Sequence, residues 1–305
     1  MEERPPEIGR HRQTSPATRA LAALGGLILG VGVLAAIAFA VVGRDNGGSA
    51  SPATQATTTG PPPKPVLRIV FPEGFTRAEM AQRITAVNKI AEDKRKITPQ
   101  LSEKEYLHLT KTTDPPKGFP KDVPNLEGFL FPATYDFTED TTTKELVGDQ
   151  LDAFDENWGQ IDLKYAESKN LDPYDVLIIA SMIEKEVQVP KERPLVAAVI
   201  YNRLHLGMPL GIDATIRYGL DIPPTQAILQ SQLETPSPYN TRCSTCTGLP
   251  PTPIGNPGLA SMQAAAHPAK VDYLYFVRKA DCKSHFFTAN LDEFNNYPRG
   301  GLNCG

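Results

Sequence analysis

Residues 20–42 read ALAALGGLILGVGVLAAIAFAVV and carry no charge, and this run constrains the chain more than any other feature. As a helix rising 1.5 Å per residue it extends roughly 35 Å, enough for a bilayer hydrocarbon core of about 30 Å. Core helices rarely run so long without a polar face. A cleaved signal peptide has a shorter apolar region, about 7–15 residues, followed by a small-residue cleavage site. The expectation is a single transmembrane helix over 20–43. Arg4, Arg10, Arg12 and Arg19 precede it, and after Arg44 no Lys or Arg occurs until Lys64. Positive charge stays inside. Residues 1–19 then form a cytoplasmic tail, and the rest lies outside the cell membrane on a single-pass anchor.

The 44–65 stretch, with NGGSASPATQATTTGPPPKP at its heart, has almost no apolar side chains and cannot bury enough surface to fold. It reads as a disordered Pro/Thr-rich linker. Residues 66–305 are long enough for a proper core. They hold 25 basic and 31 acidic side chains, a net charge of -6. That balance excludes a strongly basic nucleic-acid binder. The 29 prolines among 305 residues are about twice the usual ~5% share and divide between this linker and a loop near 233–257.

Hydrophobic periodicity predicts an α+β domain. Residues 66–71 alternate as a strand, with Leu67, Ile69 and Phe71 on one face. Thr76 and Glu79 have capping-box spacing and open a helix to about Val87; a second helix spans about 101–113. A strand–helix–helix–strand order suits a small α/β module. Asp172-Pro173 starts a helix whose body, 174–187, is apolar nearly all round and so buried. Another helix runs from near Glu192 to His205 and closes at Gly207. Residues 273–277 and 284–288 read as paired strands.

All four cysteines, Cys243, Cys246, Cys282 and Cys304, fall in the last quarter. Outside the cell disulfides persist. Three pairings exist. Cys243–Cys246 with Cys282–Cys304 is favoured, with the crossed pairings and a zinc site through Cys243-Ser-Thr-Cys246 left open. No metal or cofactor is assigned.

Glu184 stands out chemically. It follows Leu177, Ala180 and Ser181 on one face of the buried helix, where a carboxyl is partly desolvated and suited to holding a proton as a general acid. Glu186 points about 200° away from it, so the two cannot share one wall. Polar residues then crowd the next sixty positions: Asn202, Asp213, Thr215, Tyr218, Tyr239 and Asn240. Each alone reads more readily as a cap, an Asx turn or a surface patch; together they suggest a cleft. His267 and His285 are assigned structural roles. GxSxG, Walker, GxGxxG and HExxH signatures are absent.

The ordered motifs Leu126-Glu127-Gly128 with Pro132 and Thr134-Tyr135, Glu184-Lys185-Glu186, Glu192-Arg193, Asn202-Arg203-Leu204, Asp213 with Thr215, Ser237 to Thr241, Gly248, and Asn256-Pro257-Gly258 resemble the endolytic murein transglycosylase (YceG-like) family. Ala133, Arg242 and Thr252 depart from its pattern. The resemblance implies a small LysM-like module at 66–113 and a mixed α/β catalytic domain at 114–305. It implies a lyase cleaving the MurNAc–GlcNAc bond within nascent peptidoglycan strands, leaving a 1,6-anhydroMurNAc end and limiting strand elongation. It places the acid, then base, on Glu184, with Glu186, Asn202, Asp213, Thr215, Tyr218, Tyr239 and Asn240 as substrate-binding residues. Peptidoglycan strands are the implied partner, with cell-wall synthases and division proteins as further candidates. A hydrolytic muramidase and a non-catalytic glycan-binding scaffold are the competing readings.

Overall fold

The computed structural model describes residues 64–298 apart from Pro224. The expected tail, membrane helix and most of the linker lie outside the described residues, as does Cys304. Among the described residues no helix is long and apolar enough to cross a membrane.

Strand β1 (Leu67–Val70) turns Ile69 fully inward, and Phe71 follows it into the core. The turn after it ends at Thr76, whose hydroxyl accepts the Glu79 N–H while the Glu79 carboxylate accepts the Thr76 N–H. This reciprocal cap starts α1 (Arg77–Arg95). The helix runs two turns beyond the expected Val87, because Ala91 still reaches the core, and stops where Lys96 adopts a left-handed conformation. Ser102 caps α2 (Glu103–Thr112). The closing strand, β2 (Thr134–Phe137), pairs antiparallel with β1, Leu67 opposite Phe137 and Val70 opposite Thr134. The strand–helix–helix–strand unit thus closes beyond residue 113, where the module was expected to end.

Helix α3 (Thr143–Trp158) begins at a Thr142–Glu145 capping box and was not expected. It buries Leu146, Gln150 and Phe154, spaced four apart on one face. The polar residue in that stripe masks the pattern. Its amide oxygen accepts the Tyr106 hydroxyl at 2.7 Å, so it is satisfied inside the core.

After a short α4 (Lys164–Ser168) comes α5 (Pro173–Glu186), with Asp172 and Asp175 forming its capping box. Every residue from Tyr174 to Ile183 is buried. Its enclosure follows from its neighbours: α6 (Arg193–His205), entered through a 3-10 turn at Pro190–Glu192, and the later helix α9 (Leu259–Ala266). Three short helices complete this part, α7 (Asp213–Gly219), α8 (Gln230–Leu233) and α9 (Leu259–Ala266). The chain ends in a hairpin of β3 (Tyr275–Arg278) and β4 (His285–Thr288), then α10 (Leu291–Asn296). One apolar core joins Ile69 and Met80 of the first unit to Ile179, Met262 and Ala265 of the second.

Candidate active site

A cleft of about 1300 Å³ opens between the start of α1, the end of α5, α7 and the terminal hairpin. Of the residues expected at the site, Glu186, Asp213 and Tyr218 line it.

Glu186 is half-buried at the last position of α5. The nearby Ala214 N–H favours the charged form of its carboxyl. Burial pushes its carboxyl up from the ordinary glutamate range, and the charge of Asp213 adds to this, while Arg278 and Arg242 draw it back. Arg242 is itself ion-paired to Asp213. Lys185, beside it, reaches across the cleft to Glu79 of α1, 3.7 Å away.

Glu184, two residues before Glu186, stands beside this lining rather than in it. Its side chain is 6% exposed, accepts the Gly258 N–H at 3.0 Å and faces Arg193 at 3.5 Å. Arg193 also approaches Glu73 at 3.9 Å and donates through Nε to Ser261 at 3.0 Å. Burial, then the neighbouring Glu184 charge, raises the Glu73 carboxyl. Glu184 therefore belongs to an ion cluster that ties α5 to the start of α9 and the turn before α1. Two residues of helical rotation separate it from the wall that Glu186 faces.

Four further expected residues are structural in position. Asn202 donates to the carbonyls of Val271 and Tyr273 at 3.0 and 2.9 Å, anchoring the hairpin. The buried Thr215 hydroxyl donates to Ile212 O and meets Thr241 at 3.0 Å. Asn240 is 4% exposed and donates to Leu233 O and Thr235 O. Tyr239 packs edge-on behind Tyr218, rings 5.2 Å apart, with its hydroxyl 2.8 Å from Thr252.

Three cleft features escaped the sequence reading. Glu127, 3% exposed, lines the cleft and accepts the Arg77 N–H, the Asn256 amide at 2.8 Å and the Tyr218 hydroxyl at 3.2 Å. Burial pushes its carboxyl up to about 7. The signal was a lone acid in the apolar stretch Leu126–Phe131. Arg203 donates to Leu274, Pro209 and Leu210 carbonyls and lies over the Tyr275 ring at 5.3 Å. Gly211, with φ of 68°, leaves room for it: a Cβ there would meet the guanidinium at 2.8 Å. His285, assigned a structural role, also lines the cleft.

The Cys243 and Cys246 sulfurs are joined to each other, Cα atoms 5.0 Å apart. The bond removes the two thiolates that a zinc site there would need. Cys282 is also disulfide-bonded.

The model of the YceG-like family matches residues 46–299. The chain belongs to the YceG-like family. Among YceG-like relatives, the endolytic murein transglycosylase of Bacillus subtilis is 33% identical over 239 residues, 75% of this chain and 63% of that protein. The endolytic murein transglycosylase of Streptococcus pneumoniae strain R6 is 32% identical over 255 residues, 77% of this chain and 45% of that protein. The chain thus spans about half to two-thirds of the length of these curated relatives. A 2.6 Å crystal structure of a YceG-like protein from Listeria monocytogenes superposes with a TM-score of 0.62 at 31% identity, covering 75% of each chain. The mixed α/β architecture is the YceG-like fold.

Proposed function

We propose that this chain is an endolytic peptidoglycan transglycosylase, a lyase that cuts MurNAc–GlcNAc bonds within glycan strands. The observation that carries the reading is the end of α5: Glu184, its side chain 6% exposed, accepts the Gly258 N–H at 3.0 Å, and Glu186, two residues on, lies on the wall of a cleft of about 1300 Å³. In this reading Glu184 is the acid and then the base. Its protonated carboxyl gives the proton to the bridging oxygen as the C1–O bond breaks. The cationic C1 is relieved by the substrate's own N-acetyl group. The C6 hydroxyl of the same MurNAc then closes on C1, and its proton passes to the Glu184 carboxylate, which restores the acid. Glu186, Asp213 and Tyr218, which line the cleft, are the substrate-binding residues of this reading, with Asn202, Thr215, Tyr239 and Asn240 placed around them.

The charge-free run at 20–42 serves as the anchor, with residues 1–19 cytoplasmic and the enzyme extracytoplasmic on the 44–65 linker. Residues 66–113, holding β1, α1 and α2, are the LysM-like glycan-holding module of this reading. Peptidoglycan is the substrate partner, with cell-wall synthases and division proteins alongside it.

Mass analysis of fragments released from purified glycan strands tests the reading, wild type beside Glu184→Gln. Anhydro ends, one water lighter than reducing ends, are expected from wild type and absent from the variant. Reducing ends alone mean a muramidase; no release means a scaffold.

A further inference from the structure

Three guanidinium groups meet at the hairpin end of the cleft, and the chemistry at Glu184 uses none of them. Arg203 comes from α6, Arg242 from the loop after α8 and Arg278 from the end of β3, and all three line the cleft. They share one neighbourhood. The Arg278 and Arg242 charges both act on Glu186, and the Arg242 charge also acts on Arg203.

Arg203 is the fixed member. Its Nε and Nη1 donate to the carbonyls of Leu274, Pro209 and Leu210, and its guanidinium lies over the Tyr275 ring. Carbonyl oxygens and a ring face hold the group in place but carry no whole charge to balance it. Nη2 takes no part in these bonds, and among the described residues no carboxylate stands within ion-pair distance of Arg203. Burial weighs against its charged form, and the Arg242 charge adds to this. A half-buried cation beside a second cation is costly unless an anion meets it.

Arg278 is the open member. It is half-buried, and among the described residues its guanidinium makes no hydrogen bond or ion pair. Only Arg242 has a carboxylate partner, Asp213. The other carboxyl at this end is Glu186, which burial pushes up from the ordinary glutamate range. Three cations thus face two carboxyls, one of them driven toward its neutral form. This local excess of positive charge stands on a region, 66–305, whose net charge is -6.

The geometry points to a carboxylate subsite: Arg203, Arg242 and Arg278 bind a carboxylate on the branch that MurNAc carries. The inference rests on the peptidoglycan reading of the cleft. The sugar rings and N-acetyl groups of a strand are neutral. Its anions lie on the branch leaving MurNAc through the lactyl ether: the lactyl carboxyl itself in a bare strand, or the carboxyls of an attached peptide. A guanidinium meets a carboxylate through two parallel N–H donors, and Arg203, already held by three carbonyls, has little rotamer freedom left to lose. Glu186 ends α5 and Glu184 precedes it by two residues. A branch held at this end therefore fixes the sugar ring whose C1–O bond is cut.

The test uses the full-length chain and three soluble strand preparations. These are peptide-bearing strands, the same strands with their carboxyls converted to neutral amides, and bare strands from which an amidase has removed the peptide. Binding is read with Glu184→Gln, so that no strand is cut, and kcat/KM for release with the unsubstituted chain. Peptide-bearing strands should bind about tenfold tighter than their amidated form, and salt should narrow the gap. Adding Arg278→Gln should reduce the preference to about threefold or less. Bare strands bound as tightly as peptide-bearing ones assign the ligand to the lactyl carboxyl; bare strands bound as weakly as amidated ones assign it to the peptide. Equal binding of peptide-bearing and amidated strands, or binding of neither, overturns the subsite even where release proceeds. A tenfold preference left intact by Arg278→Gln overturns it as well. If that variant fails to fold, Arg242→Gln, at a side chain 43% exposed, decides on the same terms. A chain that shows the preference yet releases no fragments sinks the transglycosylase reading and leaves the subsite standing.

Discussion

Glu184 and Glu186 sit two residues apart at the end of one helix and serve different surfaces. Glu184 is closed off against Arg193 and the Gly258 N–H, while Glu186 faces the cleft. Substitution to glutamine should separate them. Glu184→Gln is expected to lower fragment release by at least about 100-fold, with on the order of 2 kcal/mol lost in denaturant unfolding, because a charged acceptor is withdrawn from Arg193 and a buried amide. Glu186→Gln, on the cleft wall, should lower release by only about tenfold. Reversed results would move the acid to Glu186.

Asn256 is the second point of strength. Its amide donates to Phe75 O and Glu127, both at 2.8 Å, and its oxygen accepts the N–H groups of Gly128 and Leu130, both at 2.9 Å. Its side chain is wholly buried and uses every hydrogen-bonding position it has. Asn256→Ala leaves these partners unmatched and should cost at least about 3 kcal/mol. A loss under about 1 kcal/mol, measured by urea unfolding, would show that the loop is held by other means.

Glu127 makes stability pH-dependent. Its carboxyl is raised to about 7 in the folded protein from an ordinary 4.5, burial being the largest cause. The folded state therefore keeps a proton that the unfolded chain releases between these values. The contribution is full below about pH 4.5 and is lost as pH rises through about 7. Glu127→Gln, which mimics the protonated form, should flatten the slope. Between pH 5 and pH 8, wild type is expected to lose on the order of 2 kcal/mol more than the variant. Parallel curves would contradict it.

The Cys243–Cys246 bond closes a very short loop, sequence separation 3. Loop-closure entropy for so few residues amounts to about 2 kcal/mol at most. Replacing both cysteines with serine should lower the melting temperature by a few degrees and leave the fold intact. A larger effect belongs on activity, since Arg242, next to the disulfide, carries the ion pair to Asp213. Release unchanged by the double replacement would show that this ion pair does not depend on the clip.

Local signals in the chain were enough for the elements whose chemistry is itself local. Thr76 with Glu79, Ser102 and Asp172 with Pro173 start helices in the structure as their side chains dictate. The unbroken apolar body of α5 led directly to its burial. Elements whose apolar stripe includes a satisfied polar residue stayed hidden: α3 reads poorly because Gln150 stands where a hydrophobic residue was expected. α9, eight residues rich in alanine, is too short for periodicity to mark.

The site divides along the same line. Sequence alone established that Glu184 and Glu186 must point apart, because helical rotation depends only on spacing. Which of them meets open space depends on what packs against each side. That is settled by Arg193 and Gly258 on one flank and Ala214 with the hairpin on the other, residues up to about a hundred positions away in the chain. The same holds for Glu127 and His285. Their partners Asn256 and Glu192 lie 129 and 93 residues distant, beyond any local pattern. Spacing fixes direction along one element; only the meeting of distant elements decides which side chains are buried against partners and which are left facing the cleft.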